Sequence, residues 1–240
     1  MMIGKDKEYF KEKMMQTAES LRQFNKVLFL TTSNRWSGEK NGEKSKSTML
    51  AYQLLNILGE SKCTLIEVPE LKIYPCEGNI SSNNGNNCGV LKSALNDPKK
   101  NPSRNHRCWA SINNPDDELW KISKQLLESD CVVFFGSVRW GQMNSYYQKL
   151  IERLTWLENR HSTLNEDNII KDISAGIIIV GQNWNGTKVL ETQQQVLDFY
   201  GFKVNQDLCW LWQYTDSIED ESNDSYKKSA EIFYETFINK

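Results

Sequence analysis

Proline is scarce in this chain, and its scarcity is local. The 240 residues hold five prolines, Pro69, Pro75, Pro98, Pro102 and Pro115. Regular structure is therefore barred by proline only between 69 and 115. Long apolar runs are missing too. Nothing approaches the roughly 20 residues of a membrane span, and Lys5, Asp6, Lys7, Glu8, Lys11, Glu12 and Lys13 displace the apolar core of a secretory signal. The expected location is cytoplasmic, with no membrane partner. An excess of one charge is absent: the net charge is -2 and the pI about 5.8. With no zinc-finger, RRM or helix-turn-helix signature either, no nucleic acid partner is expected. Six cysteines without a Cys-x-x-Cys are too few for a disulfide scaffold of this length. Cys63, Cys131 and Cys209 fall in apolar strand candidates and read as small hydrophobes. Neither Gly-x-x-x-x-Gly-Lys-Ser/Thr nor Gly-x-Gly-x-x-Gly occurs, which argues against ATP-type and Rossmann-type cradles.

What is present alternates. Phe10, Met14, Ala18 and Leu21 place an amphipathic helix over about 5–24. Val27-Leu28-Phe29-Leu30 reads as a buried strand, and Leu50, Leu54, Leu55 and Leu58 mark a helix that Gly59 stops. Thr64-Leu65-Ile66-Glu67-Val68 is a second strand. Residues 69–115, with an Asn/Ser/Gly-rich tract over 79–89, read as an irregular insertion with short helical pieces. A helix over 116–128 precedes Cys131-Val132-Val133-Phe134-Phe135, a strand without polar alternation that stops at Gly136. Met143, Tyr147, Leu150, Ile151, Leu154 and Leu157 recur at helical spacing. A strand over 175–181, a helix over 187–200, a strand over 202–210 and a closing helix around Tyr226, Ala230, Phe233 and Phe237 follow. Strands alternating with helices predict an α/β fold: a doubly wound parallel sheet of five strands with helices on both faces. The expected division is an N-terminal helical extension over 1–25 and one domain over 26–240 that contains the 69–115 insertion.

Ligands of open α/β sheets bind at the carboxyl ends of the strands. Three such loops carry the chemistry. The first offers Thr31, Thr32, Ser33, Ser37, Ser45, Ser47 and Thr48 ahead of a helix N-terminus, which favours an anion; ordinary N-capping by Ser45 or Ser47 is the alternative use of these hydroxyls. The second, Ser137-Val138-Arg139-Trp140-Gly141-Gln142-Met143, offers backbone amides and a tryptophan suited to a flat ligand. The third, Gly181-Gln182-Asn183-Trp184-Asn185-Gly186, has glycines that permit close backbone approach. One loop for phosphate and two for a planar ring fit a mononucleotide such as FMN.

These residues also carry a resemblance. Thr32-Ser33-Asn34-Arg35 with Ser45-Lys46-Ser47-Thr48, and the block from Gly136 to Met143 before Lys149-Leu150-Ile151-Glu152-Arg153-Leu154, resemble the NAD(P)H-dependent FMN reductase family of the flavodoxin-like superfamily. The resemblance spans about 26–210. It implies that Ser33, Arg35, Ser45, Ser47 and Thr48 hold the FMN phosphate. It further implies that Ser137, Val138, Arg139, Trp140, Gly141, Gln142 and Met143 line the ring, and that Gly181, Gln182, Trp184, Asn185 and Gly186 close its far side. Ser137 and Arg139 stand where the family has proline and tyrosine, which leaves Trp140 as the expected stacking surface. About nine residues separate Arg35 from the Ser-x-Ser-Thr piece, more than the family's usual spacing.

The implied activity is hydride transfer from NADPH or NADH through FMN to a quinone, flavin or other small acceptor. No side-chain acid or base is required, so no catalytic residue is named. A homodimer is implied by resemblance, with Tyr146, Tyr147 and Trp156 as a candidate face and core packing as their other use. Cys76, Cys88, Cys108 and His106 fall where iron–sulfur flavoproteins of the superfamily carry a cysteine cluster, but their spacing fits neither a zinc nor a cluster motif. Unliganded thiols are the preferred reading and a metal site the alternative. The alternatives to a reductase are a flavodoxin-type electron carrier, disfavoured by the near-neutral charge, and a flavin-free binding protein. A receiver-type signalling domain is excluded, because neither Thr31-Thr32-Ser33 nor Gly136-Ser137-Val138 supplies strand-end acids.

Overall fold

The computed structural model describes residues 7–35, 42–78, 83, 85–181, 184–213 and 222–238. In chain order the regular elements are α1 (Lys7–Arg22), β1 (Val27–Thr31), α2 (Lys46–Leu58), β2 (Cys63–Glu67), α3 (Trp109–Asn113), α4 (Leu119–Leu127), β3 (Cys131–Arg139), β4 (Gln142–Met143), α5 (Ser145–Ser162), β5 (Ser174–Gly181), α6 (Gly186–Phe199), β6 (Lys203–Gln213) and α7 (Asn223–Phe233). One π-helical turn, Tyr234–Ile238, continues α7.

Five strands lie parallel in the order β2-β1-β3-β5-β6. The sheet counts six strands, not five, because β4 pairs antiparallel with the end of β3. The continuous apolar runs resolve into two layers, since successive strand side chains point to opposite faces. Leu28, Leu30, Val132, Phe134, Ile177 and Ile179 face one core with α4, α5 and α6. Val27, Phe29, Val133, Phe135, Ile178 and Val180 face the other with α1, α2 and α7. Strands buried on both faces leave no polar alternation to read, which is why the runs look unbroken. The helix expected as an extension buries Phe10, Met14, Ala18 and Leu21 in this second core, and Trp210 donates from Nε1 to Thr17 Oγ1 at 3.0 Å.

Between β2 and α4 the described residues form 3-10 turns at Val68–Glu70 and Leu91–Ser93 and the single turn of α3. A buried ion pair fastens this segment to α5. Arg153 donates from Nη1 to Asp117 Oδ2 at 2.8 Å and from Nη2 to Asp117 Oδ1 at 2.9 Å, and both side chains are fully buried. Arg153 also donates to the Tyr74 carbonyl at 2.6 Å and to Ser111 Oγ at 2.9 Å. His106 continues the chain, with Nε2 2.9 Å from Ser111 Oγ and Nδ1 2.7 Å from Ser123 Oγ. Ser111 gives its proton to Asp117 at 2.7 Å. The network therefore selects the Nε2–H tautomer, with Nδ1 accepting from Ser123.

Tyr147 and Trp156 are fully buried within the first core. Their role is core packing; they present no face for a second subunit.

Candidate functional site

The strand order places the ends of β1 and β3 side by side, and α2 starts beside them. Thr32 donates its backbone N–H to Phe135 O at 2.8 Å and its hydroxyl to the same carbonyl at 3.0 Å. Buried Asn144 joins the two strand ends. Its Nδ2 donates to Thr32 O at 2.8 Å, and its Oδ1 accepts from Ser137 N at 3.1 Å and from Thr32 Oγ1 at 3.1 Å. Gly136 is small because this junction is full: a Cβ there would lie 2.3 Å from Met143 Cε and 3.1 Å from Asn144 Oδ1. Ser33 Oγ donates to Ser137 Oγ at 2.8 Å, linking the first two expected loops directly.

Ser45 is the N-cap of α2. Its Oγ accepts from Thr48 N at 3.3 Å and donates to Thr48 Oγ1 at 2.8 Å, so part of the hydroxyl set is used in capping. Ser45 Oγ and Ser47 Oγ are 3.3 Å apart.

A cleft of about 240 Å³ opens where these pieces meet, lined by Asn34, Arg35, Ser45, Lys46, Ser47, Ser137, Val138, Arg139 and Val180. Three of the lining residues are cations and none is acidic, in a chain whose net charge is -2. Arg35 has Glu43 at 3.5 Å outside the lining. Burial and the neighbouring Arg35 charge hold the Lys46 ammonium below its ordinary pKa. Crowded positive charge at a helix N-terminus is the electrostatic complement of a phosphate.

The structure thus brings together Ser33, Arg35, Ser45, Ser47, Ser137, Val138 and Arg139. The other candidates pack beside or away from these. Thr48 is buried in the cap of α2. Met143 is buried in the first core. Gly181 and Gly186 are close-packed against their own sheet: a Cβ on Gly181 would lie 2.9 Å from Val138 Cγ2, and one on Gly186 2.8 Å from Leu211 Cδ2. Gln182 lies outside the described residues, as do Trp36 and Ser37 of the hydroxyl-rich loop.

The expected second loop is mostly strand. Arg139 pairs with Gln142 and Val138 with Met143, leaving only Trp140 and Gly141 as the turn, at φ 50° and 71°. Positive φ at both central residues is what a two-residue hairpin needs to match strand twist. Trp140 occupies that conformation without glycine's freedom and is 89% exposed, outside the cleft lining. Trp184 packs against Gly141, where a Cβ would lie 2.9 Å from Trp184 Cη2, and Asn185 Nδ2 donates to Gly141 O at 2.8 Å. The second and third loops are therefore in contact.

Lys46, Asn34, Val180 and the positioning residue Asn144 were absent from the sequence-based site. Lys46 stood in the quoted Ser-Lys-Ser-Thr piece, but only the fold turns it into the cleft.

The four residues considered for a metal do not form one. All six cysteines are free, and among the described residues no group of three or more His, Cys, Asp or Glu side chains could hold a metal ion. Burial pushes the Cys88 thiol up to about 11, and both ring nitrogens of His106 are engaged by serines.

Among solved structures, the chain resembles RosB, solved with a bound intermediate, 8-demethyl-8-formylriboflavin 5′-phosphate. The identity is 15% and the TM-score 0.54, over 88% of this chain and 75% of RosB. It also resembles azoreductase AzrA, at 13% identity and a TM-score of 0.52, over 88% of this chain and 95% of AzrA. At such identities the likeness shows the fold, which is the flavodoxin-like α/β sheet. No protein-family model and no curated protein matches the chain. Among the described residues no helix is long and apolar enough to cross a membrane.

Proposed function

We propose that this chain is an FMN-binding oxidoreductase of the NAD(P)H-dependent FMN reductase type, taking hydride from NADPH or NADH and delivering it to a small acceptor such as a quinone or flavin. The observation that carries the reading is the cleft at the ends of β1 and β3, where Arg35, Lys46 and Arg139 meet with no carboxylate in the lining. The donor set fits a phosphate monoester. Lys46 and Arg35 supply charge, Ser47 and Ser137 supply hydroxyls, and the first turn of α2 supplies backbone N–H groups. Val138 and Val180 supply an apolar wall beside that polar end. RosB, which shares the fold, carries a riboflavin 5′-phosphate derivative.

FMN, when bound, supplies the hydride relay itself. The chain's residues bind, orient and exclude water. Asn144 fixes the spacing of β1 and β3, and so the distance between Ser33 and Ser137. Arg139 adds a cation at the mouth, suited to an anionic co-substrate. The exposed, left-handed Trp140 at the hairpin tip is a strained aromatic with no packing role, the kind of outlier found where a side chain serves a ligand.

Purified protein, loaded with FMN and kept anaerobic, should lose the visible absorbance of oxidised flavin when NADPH or NADH is added, and regain it with a quinone. A flavin-loaded protein that neither nicotinamide bleaches would leave the electron-carrier alternative standing and remove this one.

A further inference from the structure

A carboxylate stands beside the cations of the phosphate cleft without belonging to its lining. Glu43 Oε2 lies 3.5 Å from Arg35 Nη1, and both side chains are about half exposed. Its charge also acts on Lys46, where it opposes the lowering caused by burial and by Arg35. The closing helix holds Glu43 from the other side. Tyr234 is the first residue of the π-helical turn; burial and then a hydrogen bond to Glu43 raise its phenol pKa, against a smaller opposite effect of Arg35. The phenol therefore keeps its proton and donates to the carboxylate. Phe233, one residue earlier, sets its buried ring 5.9 Å from Lys46 Nζ. The end of α7 thus reaches both cations, Lys46 through a ring and Arg35 through Glu43. Single π-helical turns at the end of an α-helix are frequent at functional sites.

We propose that Glu43, held in place by Tyr234, is a built-in competitor for Arg35, which a phosphate monoester must displace, and that it sets the charge this cleft accepts; the inference rests on the phosphate site described above. The exchange is favourable because the two partners differ in strength. A half-exposed ion pair at 3.5 Å contributes little. A phosphate offers the guanidinium parallel, charge-assisted hydrogen bonds and sits against Lys46 and the first turn of α2 as well. Specificity follows from the charge count. Arg35, Lys46 and Arg139 with Glu43 beside them leave two net positive charges. A phosphate monoester carries about -1.5 to -2 near neutral pH, so the cleft with its carboxylate is matched to one phosphate. Without Glu43 the excess of positive charge would favour more highly charged anions. A carboxylate that served only to fix the loop would have no such effect on ligand choice.

The test is a calorimetric titration of FMN, riboflavin, inorganic phosphate and inorganic pyrophosphate into the full chain at about 0.1 M salt, where exposed charges more than about 10 Å apart are largely screened. Glu43→Gln should tighten FMN and phosphate about threefold, tighten pyrophosphate more, and leave riboflavin unchanged. A gain confined to phosphate-bearing ligands cannot come from a loosened fold. Tyr234→Phe should act in the same direction and add nothing to Glu43→Gln. In an Arg35→Ala background Glu43→Gln should lose its effect. The proposal is overturned if Glu43→Gln binds FMN and phosphate like the parent or more weakly, if riboflavin gains equally, or if the gain survives Arg35→Ala. FMN binding that Arg35→Ala weakens and Glu43→Gln leaves unchanged removes the competitor and keeps the flavin site. Phosphate binding that Glu43→Gln tightens, in a chain that does not take FMN, keeps the competitor and removes the flavin site. Failure of both FMN and phosphate to bind at millimolar concentration removes both.

Discussion

Replacing Lys46 with methionine separates the phosphate from the rest of the flavin. The side chain is half-buried at the start of α2, and burial together with Arg35 already lowers its pKa. Its charged form is thus disfavoured by folding. A base whose folded pKa lies below the unfolded 10.5 costs stability at neutral pH and stops costing it as pH rises. Lys46→Met should therefore fold at least as stably as the parent, with an unchanged or higher Tm. Ligand affinity should move the other way. A hydrogen bond to a charged group contributes about 1.5–3 kcal/mol, which corresponds to roughly 10- to 150-fold in Kd. The loss should fall on FMN alone: riboflavin, which lacks the phosphate, should change by less than about twofold. Lys46→Arg should recover most of the loss. The pH dependence follows the same sign. A bound anion favours the charged ammonium, so parent affinity should be full at neutral pH and decline at alkaline pH as Lys46 loses its proton; the methionine variant should lack that decline. Equal losses for FMN and riboflavin, or a folded variant that binds FMN like the parent, would refute the placement of phosphate at α2.

Further outcomes follow from other parts of the molecule. His106 is held neutral by burial and, secondarily, by Arg153, with its pKa lowered from 6.5 to about 4. That contribution is present above 6.5 and lost as pH falls towards 4, roughly 3 kcal/mol in all; urea unfolding at several pH values should show His106→Gln lacking this acid-sensitive component. Asp117→Asn leaves Arg153 buried beside a neutral amide and should cost about 3–5 kcal/mol by chemical denaturation. Gly176→Ala puts a Cβ 2.2 Å from Leu208 Cβ and 2.7 Å from its carbonyl oxygen, and should cost about 1–3 kcal/mol, read as a lower urea midpoint. Trp140→Gly should stabilise the hairpin by about 1 kcal/mol, as glycine accepts the positive φ freely, while weakening flavin or acceptor turnover; a variant with reduced stability and unchanged turnover would show the tryptophan to be structural.

The sheet was legible because its strands are buried on both faces, so Val27–Leu30 and Cys131–Phe135 announce themselves by composition alone. The hydroxyl-rich start of α2 was legible too, through Ser45 as N-cap and Gly59 as stop, where φ is 89°. The β3–β4 hairpin was not. Two-residue turns with positive φ signal themselves through Asn-Gly or Asp-Gly, and here tryptophan holds the first position. A strand ending at Gly136 was the natural reading, although the chain continues paired to Arg139. Gly181 and Gly186 read as ligand-facing because small residues near strand ends admit either a ligand or a neighbouring side chain, and only the fold shows Val138 and Leu211 there. The Arg153–Asp117–His106 network depends on residues 11 to 47 apart in sequence meeting in space, and no local spacing encodes that meeting.

The most direct test of the flavin site maps its position. Backbone amide shifts of the isotope-labelled protein, recorded during titration with FMN, should move first at Ser45 to Thr48, Ser137 to Arg139 and Val180, and saturate together. Shifts centred instead on Ser103, His106 and Ser123, beside the Arg153–Asp117–His106 network, or no shifts with millimolar FMN, would contradict it.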